Sequence, residues 1–121
     1  MITKRKRVAQ LRPRMRVLWG EEIALGPGKL ELLAMVGKTG SIREAAEKMG
    51  MSYMRAWTLI QTINACFKKP LVDCARGGKS HGGARLTPAG RMALGLYQKM
   101  EKDCLKAAGP RWRELRELLR D

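Results

Sequence analysis

From Ser52 to Thr62 the chain carries Ser52, Tyr53, Arg55, Thr58, Gln61 and Thr62 at spacings that fall largely on one side of a helix. These residue types can read a duplex. Arginine bonds guanine at two points, glutamine pairs with adenine, and serine, threonine and tyrosine reach phosphates or base edges. A second set follows. Gly77, Gly78, Gly82 and Gly83 let a backbone lie close to a phosphodiester chain, and Arg76, Lys79, Ser80, His81 and Arg85 supply donors and charge there. A solvated polar helix face and a plain glycine-rich loop are the alternatives that each set leaves open.

The surrounding residues predict what holds these groups in place. Ser41-Ile42-Arg43-Glu44 has the form of a capping box, with the Ser41 hydroxyl on a first-turn N–H and Glu44 reaching back. A short helix Ile42 to Met49 should follow, ended by Gly50. Ser52 caps the next helix, which runs to about Lys68, and Lys69-Pro70 stops it. Ala45 and Ala46 are small enough for close approach of the second helix, with Ala56 and Leu59 at the crossing. Two short helices around a tight glycine turn are the pattern of a helix-turn-helix. On the second helix Trp57, Ile60, Ile63 and Phe67 step by three or four and should be core, and Met54 should pack rather than touch thymine.

Upstream, alternation in Arg14 to Gly20 predicts a strand, Glu21-Glu22 a turn and Ile23 to Leu25 a return strand. A helix from about Lys29, apolar at Leu30, Leu33 and Val36, should stop at Gly40. Downstream, Leu71 to Arg76 and Ala84 to Leu86 read as two strands of a hairpin. Thr87-Pro88 starts a long helix that reaches about Ala108, with a stripe of Met92, Leu96, Met100 and Leu105. Gly109-Pro110 should break it, leaving a last short helix with Trp112, Leu115, Leu118 and Leu119 on one side. The expected organisation is a basic arm over 1–12, a mainly α domain with a small β-hairpin wing over 13–108, and a C-terminal helix over 109–121.

Charge sets the partner class. Lysine and arginine number 25 against 11 acids, a formal net charge of +14. Self-repulsion on that scale is relieved by a polyanion, and nucleic acid is the commonest. No apolar run approaches the length of a membrane span, and no apolar stretch follows the basic N-terminus as in a signal peptide. Three cysteines, Cys66, Cys74 and Cys104, lack framework spacing and fit reduced thiols in a cytoplasmic protein. Cys66 and Cys104 read as small core residues. With His81 they form no metal-ligand spacing, so no metal site is expected. A single histidine, no carboxylate pair and no phosphate-loop motif argue against catalysis and against a cofactor. Aromatics at 5% are too few for a single-strand stacking platform, which weighs against RNA, while a non-specific architectural DNA-binding role remains the rival reading.

Ser41-Ile-Arg-Glu-Ala-Ala-Glu-Lys-Met-Gly-Met-Ser-Tyr-Met-Arg-Ala-Trp57, Pro70-Leu-Val72 and Gly82-Gly-Ala-Arg-Leu-Thr-Pro-Ala-Gly90 together resemble the N-terminal DNA-binding domain of the molybdate-responsive (ModE) regulators. They are more distantly similar to the LysR-type helix-turn-helix. The likeness covers roughly residues 15–105. It implies a winged helix-turn-helix transcriptional regulator acting on double-stranded DNA as a homodimer, with Ser52, Tyr53, Arg55 and Thr58 on the recognition helix and Arg85 by the wing. Members of that family continue into oxyanion-binding domains whereas the sequence ends at Asp121, so the molybdate site is not carried over and no small-molecule ligand is expected here. The long helix and the Trp112, Leu115 and Leu119 face are the expected dimer contact, unless Trp112 folds back on its own core. In a dimer the two recognition helices should stand about 34 Å apart, one duplex turn.

Overall fold

A computed structural model describes residues 7–74 and 83–120. Its elements are β1 (Val17–Trp19), β2 (Glu22–Leu25), α1 (Pro27–Thr39), α2 (Ile42–Met49), α3 (Tyr53–Cys66), β3 (Val72–Cys74), β4 (Ala84–Leu86) and α4 (Pro88–Arg116). The strands form two separate antiparallel hairpins, β1–β2 and β3–β4. No helix among the described residues is long and apolar enough to cross a membrane.

The core is shared by α1, α2 and α3. Leu32, Leu33 and Val36 of α1 close on Ile42, Ala45 and Ala46 of α2 and on Ala56, Ile60 and Ile63 of α3, all of them buried. Burial of aliphatic side chains contributes about 1.5–3 kcal/mol each, which makes this tripod the main source of stability. Each helix end has a local cause. Gly40 and Gly50 adopt φ of 70° and 68°, the left-handed region in which a side chain is strained, and their N–H groups return to Val36 and to Ala46 and Glu47.

The second hairpin is fastened to the tripod by side chains. Asn64 of α3 donates from Nδ2 to the Val72 carbonyl at 3.0 Å, while its Oδ1 accepts from the N–H groups of Leu71 and Val72 at 2.8 and 3.1 Å. The Thr87 hydroxyl donates to the Pro70 carbonyl at 2.7 Å and accepts from the Gly90 N–H at 3.0 Å. Gly90 can only be glycine there, because a Cβ would stand 2.1 Å from the Leu71 carbonyl oxygen. On the other side the Ala84 N–H donates to Gly40 at 3.0 Å, and Ser41 bridges Gly83. The result is a helix-turn-helix with a hairpin wing, as the sequence implies.

Four expectations are corrected. Gly109 and Pro110 do not break the last helix: α4 is continuous over 29 residues, with Pro110 inside it. Proline deletes one N–H donor, and the flanking alanines, lysine, arginine and tryptophan continue the helix past it. Trp57 is 40% exposed rather than core. The buried row steps through Ala56, Ile60 and Ile63, and Trp57 lies about 100° round the helix from Ala56. Met54, expected to pack, is 64% exposed, and Cys104, expected inside, is also exposed.

Boundaries shift slightly elsewhere. α1 begins two residues before Lys29, with Pro27 in its first turn, and α3 ends at Cys66 rather than Lys68. The capping box is half made. Ser41 Oγ accepts the Glu44 N–H at 3.1 Å, but the Ser41 N–H is taken by Thr39 Oγ1 at 3.3 Å and not by the Glu44 carboxylate.

Candidate nucleic-acid interface

Ser52 holds the N-terminus of α3 through its hydroxyl, which accepts the Arg55 N–H at 3.1 Å. The cap fixes the helix start while leaving the Arg55 side chain exposed. Because Ala56, Ile60 and Ile63 face the core, the opposite side of the same helix presents Met54, Arg55, Trp57, Thr58 and Gln61 to solvent. The polar face read from the sequence is therefore exposed at Ser52, Arg55, Thr58 and Gln61. Tyr53 and Thr62 are half-buried at its margins. Thr62 directs its hydroxyl to the Thr58 carbonyl at 3.1 Å, a contact within its own helix.

Tyr53 is not isolated. The guanidinium of Arg43, one residue inside α2, lies 4.9 Å from its ring centroid. This stack joins the N-terminal turns of α2 and α3 into one surface, and both ends offer unpaired backbone N–H groups and positive dipole ends. Arg43 was not among the residues singled out from sequence. Its only sequence signal is a cation in the first turn of the helix before the recognition helix, and nothing in the spacing says that it meets Tyr53. Ser41 is half-buried, with its hydroxyl on the α2 cap and its carbonyl accepting from Thr39 Oγ1 at 2.9 Å.

At the base of the wing, Arg85 pairs across the strands with Asp73 at 3.6 Å, the only ion pair among the described residues. Both side chains are largely exposed, so the pair contributes little to stability and leaves Arg85 available to a stronger anion. Beside it, Cys74 is half-buried, and burial followed by the Asp73 charge pushes its thiol pKa up. Arg76, Lys79, Ser80 and His81 lie outside the described residues.

The surface has a consistent electrostatic character. Arg43, Arg55 and Arg85 are exposed, and Lys48 stands at the end of α2. Glu44 and Glu47 on the outer face of α2 make no ion pair with them. An exposed, capped helix start with arginines on two sides suits a phosphodiester backbone and its base edges. Among the described residues no group of three or more potential metal ligands converges.

Comparison with known proteins follows the same segment. The family described as bacterial regulatory helix-turn-helix protein, lysR family, matches residues 27–91, which run from α1 to the start of α4. The chain is 43% identical over 82 residues to the molybdenum-pterin-binding protein MopB of Rhodobacter capsulatus, covering 68% of this chain and 30% of that protein. It is 41% identical over 71 residues to the transcriptional regulator ModE of Yersinia pestis, covering 59% of this chain and 27% of the relative. The chain thus spans about 30% of the length of the curated relatives it matches. Among solved structures, that of the CbnR DNA-binding domain in complex with DNA superposes with a TM-score of 0.51 at 24% identity, covering 77% of this chain and 97% of that one. At this identity the likeness bears on the fold alone.

Proposed function

The chain belongs to the lysR family of bacterial regulatory helix-turn-helix proteins, and on that premise we propose that it binds double-stranded DNA sequence-specifically and regulates transcription. The observation that carries the proposal is the N-terminal half of α3: a Ser52-capped helix start whose exposed side holds Arg55, Thr58 and Gln61, with Arg43 and Tyr53 stacked beside it. In the major groove Arg55 would make the two-point contact with guanine, and Gln61 and Thr58 would reach neighbouring base edges or phosphates. Ser41, Ser52, Tyr53 and Thr62 would border the groove. The wing, with Arg85 at its base, would follow the adjacent backbone, and Arg76, Lys79, Ser80 and His81, read from the sequence alone, would add phosphate contacts. The role is binding rather than catalysis, and its place is the cytoplasm, where the DNA is.

The active form in this proposal is a homodimer. α4 supports it, because Met92, Leu96 and Met100 recur every four residues on its solvent side and are 68%, 53% and 44% exposed. An apolar row of that length on a free helix face is a pairing surface. Two copies joined there would offer two half-sites to one duplex.

Selection of bound duplexes from a random pool tests the reading. Enrichment of a two-fold symmetric site supports a dimeric sequence-specific regulator. Tight binding with no enriched sequence would replace it with the architectural reading.

A further inference from the structure

A second basic surface lies at the other end of the molecule from the start of α3. Residues 1–20 contain seven lysines and arginines and no carboxylate. Within the described part, burial alternates residue by residue: Leu11, Pro13, Met15 and Val17 are half-buried, and Arg12, Arg14 and Arg16 are exposed. The inward set is anchored on α4. The Met15 carbonyl accepts the Tyr97 hydroxyl at 2.6 Å, and Pro13 shares a cleft with Gln98, Glu101, Lys102 and Leu105. The outward set is a row of guanidinium groups on a fixed backbone. An extended chain advances about 3.3 Å per residue, so neighbours in the row stand about 6.6 Å apart. None of the three makes an ion pair among the described residues, and Glu101, the acid lining the cleft, stays beyond 4.0 Å of them. Arg12 donates only to Gln10, at 3.1 Å.

We propose that Arg12, Arg14 and Arg16 form a second, sequence-indifferent phosphate-binding strip that holds a second DNA segment, so that the protein bridges two duplexes. The strip precedes β1, whose partner β2 leads into the first turn of α1. The α2 start and its partner Tyr53 lie past the other end of α1, whose 13 residues measure roughly 18 Å. A duplex seated on the start of α3 therefore leaves the strip uncovered. Guanidinium groups spaced along an extended chain, with the residues between them turned inward, match a backbone of regularly spaced anions. No apolar side chain stands exposed between the arginines; the exposed Leu18 and Trp19 lie past the end of the row on β1, so the strip itself offers charge and no apolar anchor for a protein partner. The inference rests on the duplex-binding reading of α3 and extends it to a second face.

The test uses the full chain, an immobilised duplex carrying the selected site, and a labelled duplex of random sequence in solution. The wild-type chain should retain the labelled duplex on the beads. Three phosphate contacts per copy predict a log–log salt slope of about −2.7 for that retention. The R12Q/R14Q/R16Q variant should lose at least nine-tenths of the retained label while binding the immobilised duplex within about threefold of wild type. R113Q/R116Q/R120Q, which removes the same charge from exposed positions at the end of the chain, should retain it. R12K/R14K/R16K should also retain most of it, which separates loss of charge from loss of fold. Immobilised-duplex binding with no label retained, or equal retention by the glutamine variant and wild type, overturns the strip and leaves the α3 reading standing. Equal loss from the lysine and glutamine variants, or from the C-terminal control, overturns it as well. Failure of the wild-type chain to bind the first duplex overturns both.

Discussion

The guanidinium of Arg43 stacks on the ring of Tyr53 at 4.9 Å, and this contact couples the helix before the turn to the helix after it. The stack does two things. It holds the Tyr53 ring at the edge of the exposed α3 face, and it keeps a cation beside the α2 N-terminus, where the proposed duplex would lie. An exposed cation–π contact is worth only about 0.5–1 kcal/mol to the fold. Arg43→Gln should therefore leave the denaturation midpoint almost unchanged while weakening duplex binding several-fold. Tyr53→Phe should keep the stack and most of the affinity, and Tyr53→Ala should behave like Arg43→Gln. Fluorescence anisotropy with chemical melts of the same samples measures both. A large loss of stability in Arg43→Gln would make the stack a structural clamp instead.

Arg55 separates base reading from backbone attraction. Its N–H completes the Ser52 cap while its side chain is exposed. A bidentate contact with guanine predicts a loss of about 1–3 kcal/mol on the selected site for Arg55→Ala, with a much smaller loss on random duplex. Ser52→Ala should instead destabilise the fold by about 1 kcal/mol through the cap. Equal weakening of both duplexes by Arg55→Ala would assign the arginine to phosphate.

The joint between α3, the wing and α4 is the least forgiving part of the fold. A Cβ at Gly90 would lie 2.1 Å from the Leu71 carbonyl oxygen, and backbone on both sides leaves no flexible group to move. Gly90→Ala should cost more than about 2 kcal/mol, in the range of overpacked core substitutions. Asn64→Ala removes one donor and a twice-used acceptor, leaving two N–H groups and a carbonyl without their partners. A comparable loss follows from the penalty for unsatisfied groups. Urea denaturation of both variants checks this, and a midpoint within error of wild type would contradict it.

These examples show where sequence is a good guide. The caps Ser41, Ser52 and Thr87 were legible because each is a local hydrogen bond between a side chain and an N–H three residues on. The exposed Arg55, Thr58 and Gln61 were legible because helical period links them to the buried row. What failed was phase and context. Counting Trp57 into the core beside Ile60 and Ile63 made the buried face too wide: Trp57 lies about 100° round the helix from Ala56, and the row that closes on α2 is Ala56, Ile60 and Ile63. Pro110 reads locally as a breaker, yet one missing hydrogen bond does not end a helix already 22 residues long. Asn64 and Arg43 act on partners distant in the chain or across a turn, which spacing does not reveal.

Cys74 gives a pH prediction. Burial first, and the Asp73 charge second, raise its pKa above the ordinary thiol value. The folded protein favours the neutral thiol, so this contribution to stability is complete below the pH where the free thiol ionises. It is lost as pH rises toward the folded value. Between about pH 8 and 9, alkylation followed by mass spectrometry should modify the exposed Cys104 before Cys74. Asp73→Asn should speed Cys74 modification by removing the nearby negative charge. Faster modification of Cys74 than of Cys104 in the wild-type chain would contradict the order.

The exposed row on α4 makes a prediction about assembly. Leu96 lies between Met92 and Met100 on the solvent side of the helix, one turn from each, and Tyr97 beside it is buried. A charge at position 96 therefore faces solvent in a monomer and costs the isolated fold little. In a dimer it would enter the apolar seam, where an unpaired carboxylate is expensive. Leu96→Glu should shift the mass measured by light scattering from dimer to monomer with little change in secondary structure. Because α4 runs unbroken to Arg116, a chain ending at Gly109 removes only the last turns of the same helix and should weaken the dimer without abolishing it. A wild-type chain that is monomeric at the highest concentration used for DNA binding, or a Leu96→Glu chain that stays dimeric, would sink the α4 seam.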